Sequence, residues 1–242
     1  MDVLKHHKKS IDFLSEDKKI YSWTKTGNYS PVTLYKNGMI EGSPFNVDSI
    51  DFINAFGPGG EDEWVMGLQL VFVVETNKKC NSDWIYVKDT IEHFYSYERT
   101  QLKLSVVYMD GKGNYNSPKK EKEIKKLTSQ YKASSKSNRT RVIYCFDCDD
   151  YDSKPDDFKF LENARQYCNE YGYDFVWFCK DVEQVYIGKK VDDSQKTKES
   201  AVFKSKKLIV NIDSEKLSVE KYRNNTSNIM SVLNRYPELI RK

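Results

Sequence analysis

The stretch Arg141-Val-Ile-Tyr-Cys-Phe-Asp-Cys-Asp-Asp150 decides the fold of this chain. An unbroken apolar run of this length predicts a strand buried on both faces, as in a parallel sheet. Its end is acidic, and open α/β sheets bind their ligands at the carboxyl ends of strands. Asp147 and Asp149 are two residues apart, so an extended strand would direct both carboxylates to one face. Their hard oxygen atoms suit Mg²⁺ or Mn²⁺, and a solvated acidic loop after the strand is the plainer alternative.

Strands and helices alternate on both sides of this stretch. Apolar runs predict strands, and apolar residues at helical spacing predict the intervening helices. The predicted strands cover 68–74, 102–108, 141–149 and 174–179, and the predicted helices cover 83–97, 119–131 and 156–171, the last closed by Gly172. This order predicts an α/β fold with a four-stranded, mainly parallel, Rossmann-like sheet.

Acidic residues follow three of the four predicted strands. Glu75 ends the first strand, Asp147 and Asp149 end the third, and Asp181 and Glu183 follow the fourth. The carboxyl ends of parallel strands share one edge of a sheet, so these five side chains are expected to converge. The convergence predicts a metal site.

The segments outside this alternation are read as extensions. Residues 1–65 predict a small β-rich or mixed unit, with strands at 20–23 and 31–35, a turn at Asn37-Gly38 and a short helix at 49–56. The cluster Gly57-Pro-Gly-Gly60 marks its boundary with a domain covering 66–190. A C-terminal helical extension, 191–242, is expected to carry a short strand at 208–212 and helices at 219–222 and 228–235.

Composition indicates a polar globular protein. The 242 residues are 38% hydrophobic and 31% charged, with a net charge of +3. No apolar run is long enough to span a membrane, and the first residues lack an apolar signal core, which predicts a cytoplasmic location. The five cysteines are odd in number and fall mostly within predicted strands and helices, in keeping with a reducing compartment.

Basic residues flank the acidic stretch in sequence. Between residues 117 and 141 there are nine Lys or Arg against two Glu, and a second basic stretch runs from 189 to 207. Such stretches would suit a polyanionic partner, although a solvated lysine-rich face is an equal alternative. The candidate phosphate contacts are Lys78, Lys119, Lys120, Arg139, Lys180, Lys189 and Lys190.

Glu75, the Asp147-Cys-Asp149 triplet and the βαβαβαβ order together resemble the TOPRIM (topoisomerase–primase) domain. Within it the chain is most similar to the OLD-type and RloB-like nucleases, over about residues 66–190. Lys180-Asp-Val-Glu183 looks like the acidic segment after the fourth strand of OLD-type enzymes. Glu75 is followed by Thr76, where the family usually has glycine.

The resemblance implies a metal-dependent endonuclease acting on DNA or RNA, including tRNA. Asp147 and Asp149 would hold Mg²⁺ or Mn²⁺, and Glu75 would be a further ligand or the general acid/base. Asp181 and Glu183 would hold a second ion. It also implies an antiviral defence role beside a separate ATPase or another defence subunit, with a homo-oligomer left open.

Two other functions remain open from the residues alone. One is a regulatory or nucleic-acid-binding subunit with a degenerate TOPRIM site, because the glycine after Glu75 is missing. The other is a nucleotide-sugar glycosyltransferase, because such enzymes also place Asp-x-Asp at the end of an apolar strand to hold a metal.

Overall fold

The computed structural model of the protein describes residues 18–24, 29–35, 40–41, 67–135 and 137–242. The chain divides into two compact units, Met1–Met66 and Gly67–Lys242. Each unit is described by itself. The residues predicted as C-terminal extension belong to the second unit.

The described part of the first unit is an antiparallel three-stranded sheet. Strands β1 (Lys18–Thr24), β2 (Tyr29–Tyr35) and β3 (Ile40–Glu41) pair in chain order. Both predicted strands are present, and β2 and β3 pair antiparallel, while the predicted Asn37-Gly38 turn lies outside the described residues. The helix predicted at 49–56 and the Gly57–Gly60 boundary lie outside the described residues.

The second unit is built on a mostly parallel five-stranded sheet. Its strands are β4 (Leu68–Val74), β6 (Leu102–Tyr108), β7 (Arg139–Asp147), β8 (Asp174–Cys179) and β9 (Thr226–Ser227), in the order β6-β4-β7-β8-β9. The first four strands are parallel, and β9 adds antiparallel to β8. The predicted α/β class and parallel sheet are therefore confirmed. A separate ribbon pairs β5 (Tyr95–Ser96) with β10 (Ile240–Arg241).

Helices cover both faces of the sheet. The helices are α1 (Ser82–Phe94), α2 (Pro118–Ser134), α3 (Pro155–Tyr171), α4 (Val182–Ile187), α5 (Asp193–Ser205) and α6 (Ile229–Leu233). One apolar cluster joins the sheet to α1, α4, α5 and α6, and the other joins it to α2 and α3. The central strand β4 is buried along its whole length, so its side chains supply both clusters.

Three helix limits follow from local sequence. Ser117 caps α2 by accepting a hydrogen bond from the Lys120 amide, and Pro118 occupies the first turn. Gly172 ends α3 with a φ of 66°, the left-handed conformation that glycine adopts without steric cost. Asp181 caps α4 through the Gln184 amide.

Several local predictions were wrong. The strand expected to reach Asp149 ends at Asp147, and Asp149 adopts a φ of 49°, which takes it out of the extended conformation. The segment expected as a strand at 208–212 is a 3₁₀ turn over Leu208–Asn211, and 219–222 is not helical. Helix α5 was not predicted, since its buried residues are only Ser200 and Phe203 and its sequence shows little apolar periodicity. No helix among the described residues is long and apolar enough to cross a membrane.

Candidate carboxylate site at the switch point of the sheet

The carboxyl ends of β4 and β7 form the switch point of the sheet. From β4 the chain moves to β6 on one side, and from β6 it crosses back to β7 on the other side of β4. Ligand sites in open α/β sheets lie outside such a point, because the two connections leave in opposite directions. Glu75 directly follows β4, and Asp147 is the last residue of β7. The topology therefore places these two predicted site residues side by side.

Glu75 and Asp147 are held by backbone amides. Glu75 Oε1 accepts a hydrogen bond from the Asp147 amide at 2.8 Å, and Asp147 Oδ1 accepts one from the Val182 amide at 3.0 Å. Within the described part of the chain, no group donates a hydrogen bond to Glu75 Oε2 or Asp147 Oδ2. Each carboxylate is thus fixed by one oxygen and keeps the other oxygen available for a ligand.

Asp83, in the first turn of α1, is a third carboxylate at this end of the sheet and was not among the predicted site residues. Its side chain is only 5% exposed, and Oδ2 accepts a hydrogen bond from the Thr76 amide at 3.0 Å. The Ser82 hydroxyl donates to Oδ1 at 3.1 Å. The loop after β4 therefore folds back onto the first turn of α1 and brings Asp83 beside Glu75. Only the tertiary fold reveals this proximity, because the irregular segment 76–81 separates Glu75 from α1.

These carboxylates line one cavity of about 490 Å³. Its charged lining consists of Glu75, Asp83, Asp110, Asp147, Asp193 and Lys196. Asp110 comes from the loop after β6, and Asp193 and Lys196 come from the first turn of α5. The cavity is therefore strongly acidic, with one lysine among five carboxylates.

Burial and mutual repulsion raise the pKa values of the cavity carboxyls. Burial is the main cause of the rise in the pKa of Glu75 to about 8, and the neighbouring Asp83 and Asp149 carboxylates add to it. Burial, followed by Glu75 and Asp83, raises the pKa of Asp147 well above its ordinary value. Burial also raises the pKa of Asp83. A cation bound here would remove the repulsion that favours the protonated forms.

The partly buried Lys196 forms an ion pair with the buried Glu183 beside the cavity. The Lys196 ammonium lies 3.6 Å from Glu183 Oε2 and 3.4 Å from Asp193 Oδ1. Glu183 is fully buried, and neither of its carboxylate oxygens accepts a hydrogen bond from a described residue. Burial raises the pKa of Glu183 to about 7, and the Lys196 charge only partly opposes that rise. Glu183 was a predicted metal ligand, whereas Lys196 was not singled out in the sequence.

Asp149 departs from the arrangement expected for Asp-x-Asp. Its carboxylate pairs with the Lys112 ammonium, which also lies 3.0 Å from Asp157 Oδ1. The left-handed turn at Asp149 separates its side chain from the face that Asp147 occupies. Asp149 does not line the cavity, although its charge contributes to the raised pKa of Glu75. The expectation that both carboxylates share a strand face was wrong for this reason.

Asp181 is engaged as a helix cap. Its Oδ1 accepts a hydrogen bond from the Gln184 amide at 2.7 Å, and its Oδ2 accepts one from the Gln184 side chain at 2.8 Å. Both oxygens of this predicted metal ligand therefore already have donors. The structure brings together Glu75 and Asp147, places Glu183 behind Lys196, and leaves Asp149 and Asp181 with other partners.

The predicted phosphate contacts fall in different places. Lys78, Lys119, Lys189 and Lys190 are exposed, and Lys180 pairs with Asp150 and Asp152. Lys120 is only 5% exposed, and its ammonium donates to the Tyr108 carbonyl and to Asp110 at 2.9 Å. Arg139 begins β7, at the edge of the sheet opposite Asp147, and pairs with Glu238. The positions of Lys120 and Arg139 do not fit the expected contact with substrate at the cavity.

Glu75 and Asp147 are the described residues that could hold Mg²⁺ directly. No group of three His, Cys, Asp or Glu among the described residues is arranged as a ready metal site. Mg²⁺ keeps several of its waters and is commonly held by one or two carboxylates. Glu75 and Asp147 each keep one oxygen without a hydrogen-bond donor, as such binding requires. Asp83 would add negative charge beside such an ion, while both of its oxygens already accept hydrogen bonds within the fold.

Comparison of the chain with protein-family models, with curated proteins and with solved structures gives no match. The fold and the site geometry are therefore the grounds for a functional assignment.

Proposed function

We propose that the chain is a metal-dependent endonuclease of the TOPRIM class that hydrolyses phosphodiester bonds of DNA or RNA. The observation that carries the proposal is the pairing of Glu75 and Asp147 at the switch point, where the Asp147 amide donates to the Glu75 carboxylate. Two adjacent carboxylates with raised pKa values would take up a divalent cation in exchange for protons. The proposal also covers tRNA as substrate and a role in antiviral defence beside a separate ATPase subunit.

Each cavity residue has a role in this proposal. Glu75 and Asp147 would hold Mg²⁺ or Mn²⁺, as one ion or as the first of two. The bound metal would supply Lewis-acid stabilisation of charge on the phosphate oxygens. The Val182 amide fixes the direction of the Asp147 carboxylate, and the Asp147 amide fixes that of Glu75. If Asp147 alone held the metal, Glu75 would be the general acid/base, since burial raises its pKa to about 8 in the metal-free site.

A regulatory subunit with a degenerate site is a second candidate, supported by Asp149. Its ion pair with Lys112 keeps its carboxylate away from the cavity that holds Asp147. The same separation counts against an Asp-x-Asp chelate of the glycosyltransferase kind, which needs both carboxylates on one ion. Metal-dependent cleavage separates the nuclease from the regulatory subunit.

The test measures two properties of the chain, namely cleavage of nucleic acid and the change in Tm on adding metal. Plasmid DNA, single-stranded DNA and total tRNA are incubated with the full chain in Mg²⁺ or Mn²⁺. The same preparations are heated with and without the metal to measure Tm. The variants are Glu75→Gln and Asp147→Asn, which keep shape and remove charge. The matched controls are Glu220→Gln and Asp156→Asn, at exposed positions away from the cavity.

We expect wild type and both controls to cut at least one substrate and to gain Tm on adding metal. Both cavity variants should lose at least about a hundredfold in rate, because the metal charge at the phosphate is lost. They should also lose the metal-dependent rise in Tm. Cleavage by Asp147→Asn at the wild-type rate would refute the site. A metal-dependent Tm rise in wild type and both cavity variants alike would refute the proposed ligands.

A further inference from the structure

Helix α2 presents a face made of lysines. Ile124 is buried and Leu127 is partly buried on the side that packs on the sheet. The opposite side carries exposed lysines at helical spacing, and in the described part of the chain none of them forms an ion pair. We call this set the α2 lysine face: Lys119, Lys122, Lys125, Lys126 and Lys132.

The two acidic residues of α2 have partners outside this face. Glu123 is 3.7 Å from the buried Lys120 ammonium, and Glu121 accepts a hydrogen bond from the Tyr167 hydroxyl at 3.5 Å. Glu121 therefore contacts α3, whereas Glu123 pairs with Lys120 of the same helix and stays exposed. The lysine face keeps an uncompensated positive charge along a helix of 17 residues, or about 25 Å.

The first turn of α2 is attached to the loop that lines the cavity. The Lys120 ammonium donates to Asp110 and to the Tyr108 carbonyl at the end of β6. Asp110 and Gly111 line the cavity, and the Gly111 amide donates to the Glu75 carbonyl at 2.9 Å. Lys119, adjacent to this anchor, is exposed. The lysine face therefore begins at the rim of the carboxylate site and extends away from it.

We infer that the α2 lysine face binds the phosphate backbone of the nucleic-acid substrate and leads it to the carboxylate cavity. This inference rests on the proposed nuclease function and deepens it. The cavity is lined by five carboxyl groups and one lysine, so affinity for a polyanion must come from positive charge outside the cavity. Lysines at successive turns of one helix supply such charge without reading base sequence.

Charge and exposure favour nucleic acid over a membrane surface. A helix that lies in a membrane interface pairs a basic side with exposed apolar side chains. The exposed large apolar residues of the described chain are Phe158, Tyr171, Val210 and Ile240, none of which belongs to α2. The apolar side of α2 is already covered by the sheet, so its free surface offers charge alone.

The test separates binding from cleavage. Fluorescence anisotropy measures the affinity of labelled single-stranded and duplex nucleic acid for the Asp147→Asn chain in EDTA, where no cutting occurs. Affinity is measured from 50 to 200 mM salt. The variant is Lys119→Gln/Lys122→Gln/Lys126→Gln, and its matched control is Lys198→Gln/Lys204→Gln/Lys206→Gln. The control lysines are exposed on or next to α5, on the opposite face of the sheet.

We expect the α2 variant to lose at least tenfold in affinity at 50 mM salt. The slope of log K against log salt should become shallower by about two to three, as expected for three lost phosphate contacts. In the cleavage assay of the otherwise wild-type chain, the α2 variant should raise KM and leave kcat within about twofold. The α5 control should change neither slope nor KM.

If the α2 variant and the α5 control lost affinity for nucleic acid equally, the inference would be overturned. The affinity would then depend on the total charge of the protein and not on the α2 lysine face. Stronger binding to anionic vesicles than to nucleic acid would also overturn it. Since the binding arm needs no catalysis, a chain that binds through α2 but cuts nothing would refute the nuclease alone. A chain that cuts nucleic acid, with the same KM in the α2 variant as in wild type, would refute the lysine face alone.

Discussion

The buried Glu183 carboxylate is expected to cost stability at neutral pH. The side chain is fully buried, neither oxygen accepts a hydrogen bond within the described structure, and the nearest cation is 3.6 Å away. Burial raises its pKa from an ordinary 4.5 to about 7. At about 1.4 kcal/mol for each pKa unit, the ionised form destabilises the fold by roughly 3 kcal/mol.

The sign of the pH dependence follows from the raised pKa. The folded chain binds this proton more tightly than the unfolded chain, so the contribution to stability is fully present below pH 4.5. It is lost as the pH rises from 4.5 to 7, and above that range the loss is complete. Glu183→Gln removes the charge, so it should raise the free energy of unfolding above pH 7 and change it little near pH 4.5.

Urea unfolding of wild type and Glu183→Gln from pH 4.5 to 8, in EDTA, measures this difference directly. Glu220→Gln is the control, since Glu220 is exposed and makes no ion pair within the described structure. We expect the gain from Glu183→Gln to grow with pH by roughly 3 kcal/mol and the control to stay flat. A variant that is less stable than wild type at pH 8 would show that the ion pair with Lys196 outweighs the burial of the charge, and would refute the reasoning.

Two further substitutions test residues whose side chains stabilise the fold and do not bind a ligand. Lys120→Met removes the buried ammonium from the Tyr108 carbonyl and Asp110, so urea unfolding should show a loss of about 2 kcal/mol. In the EDTA anisotropy assay it should leave the salt slope unchanged, and a shallower slope would mean that Lys120 contacts phosphate. Asp181→Ala removes the cap of α4 and should cost about 1 kcal/mol in the same unfolding experiment. Its metal-dependent rise in Tm should equal that of wild type, and a smaller rise would restore Asp181 as a metal ligand.

Much of the second unit could be predicted because its strands are buried on both faces. Such strands are long apolar runs, and the three crossover helices α1, α2 and α3 carry apolar residues at helical spacing. The C-terminal part was predicted less well. Helix α5 buries little, and the 3₁₀ turn at Leu208–Asn211 has an apolar sequence that a strand would share. Local patterns do not distinguish these cases, since packing against α1 and the sheet decides them.

The candidate site was likewise predictable only in part. The sequence placed Glu75 and Asp147 at strand ends, and the parallel order made their proximity predictable. It could not show that Asp149 turns into a left-handed conformation and pairs with Lys112. Residues two apart share a face only within a continuous strand. Because β7 ends at Asp147, this rule does not extend to Asp149.

By itself, then, the sequence determined the α/β class, the four parallel strands and the edge of the sheet where carboxylates gather. These follow from hydrophobic periodicity, which acts over a few neighbouring residues. The tertiary structure alone decided that Asp83 and Lys196 join the cavity, that Glu183 is buried against Lys196, and that Lys120 faces inward while Lys119 faces solvent. Those outcomes depend on which distant segments pack together, and so on burial and charge contacts that local periodicity does not encode.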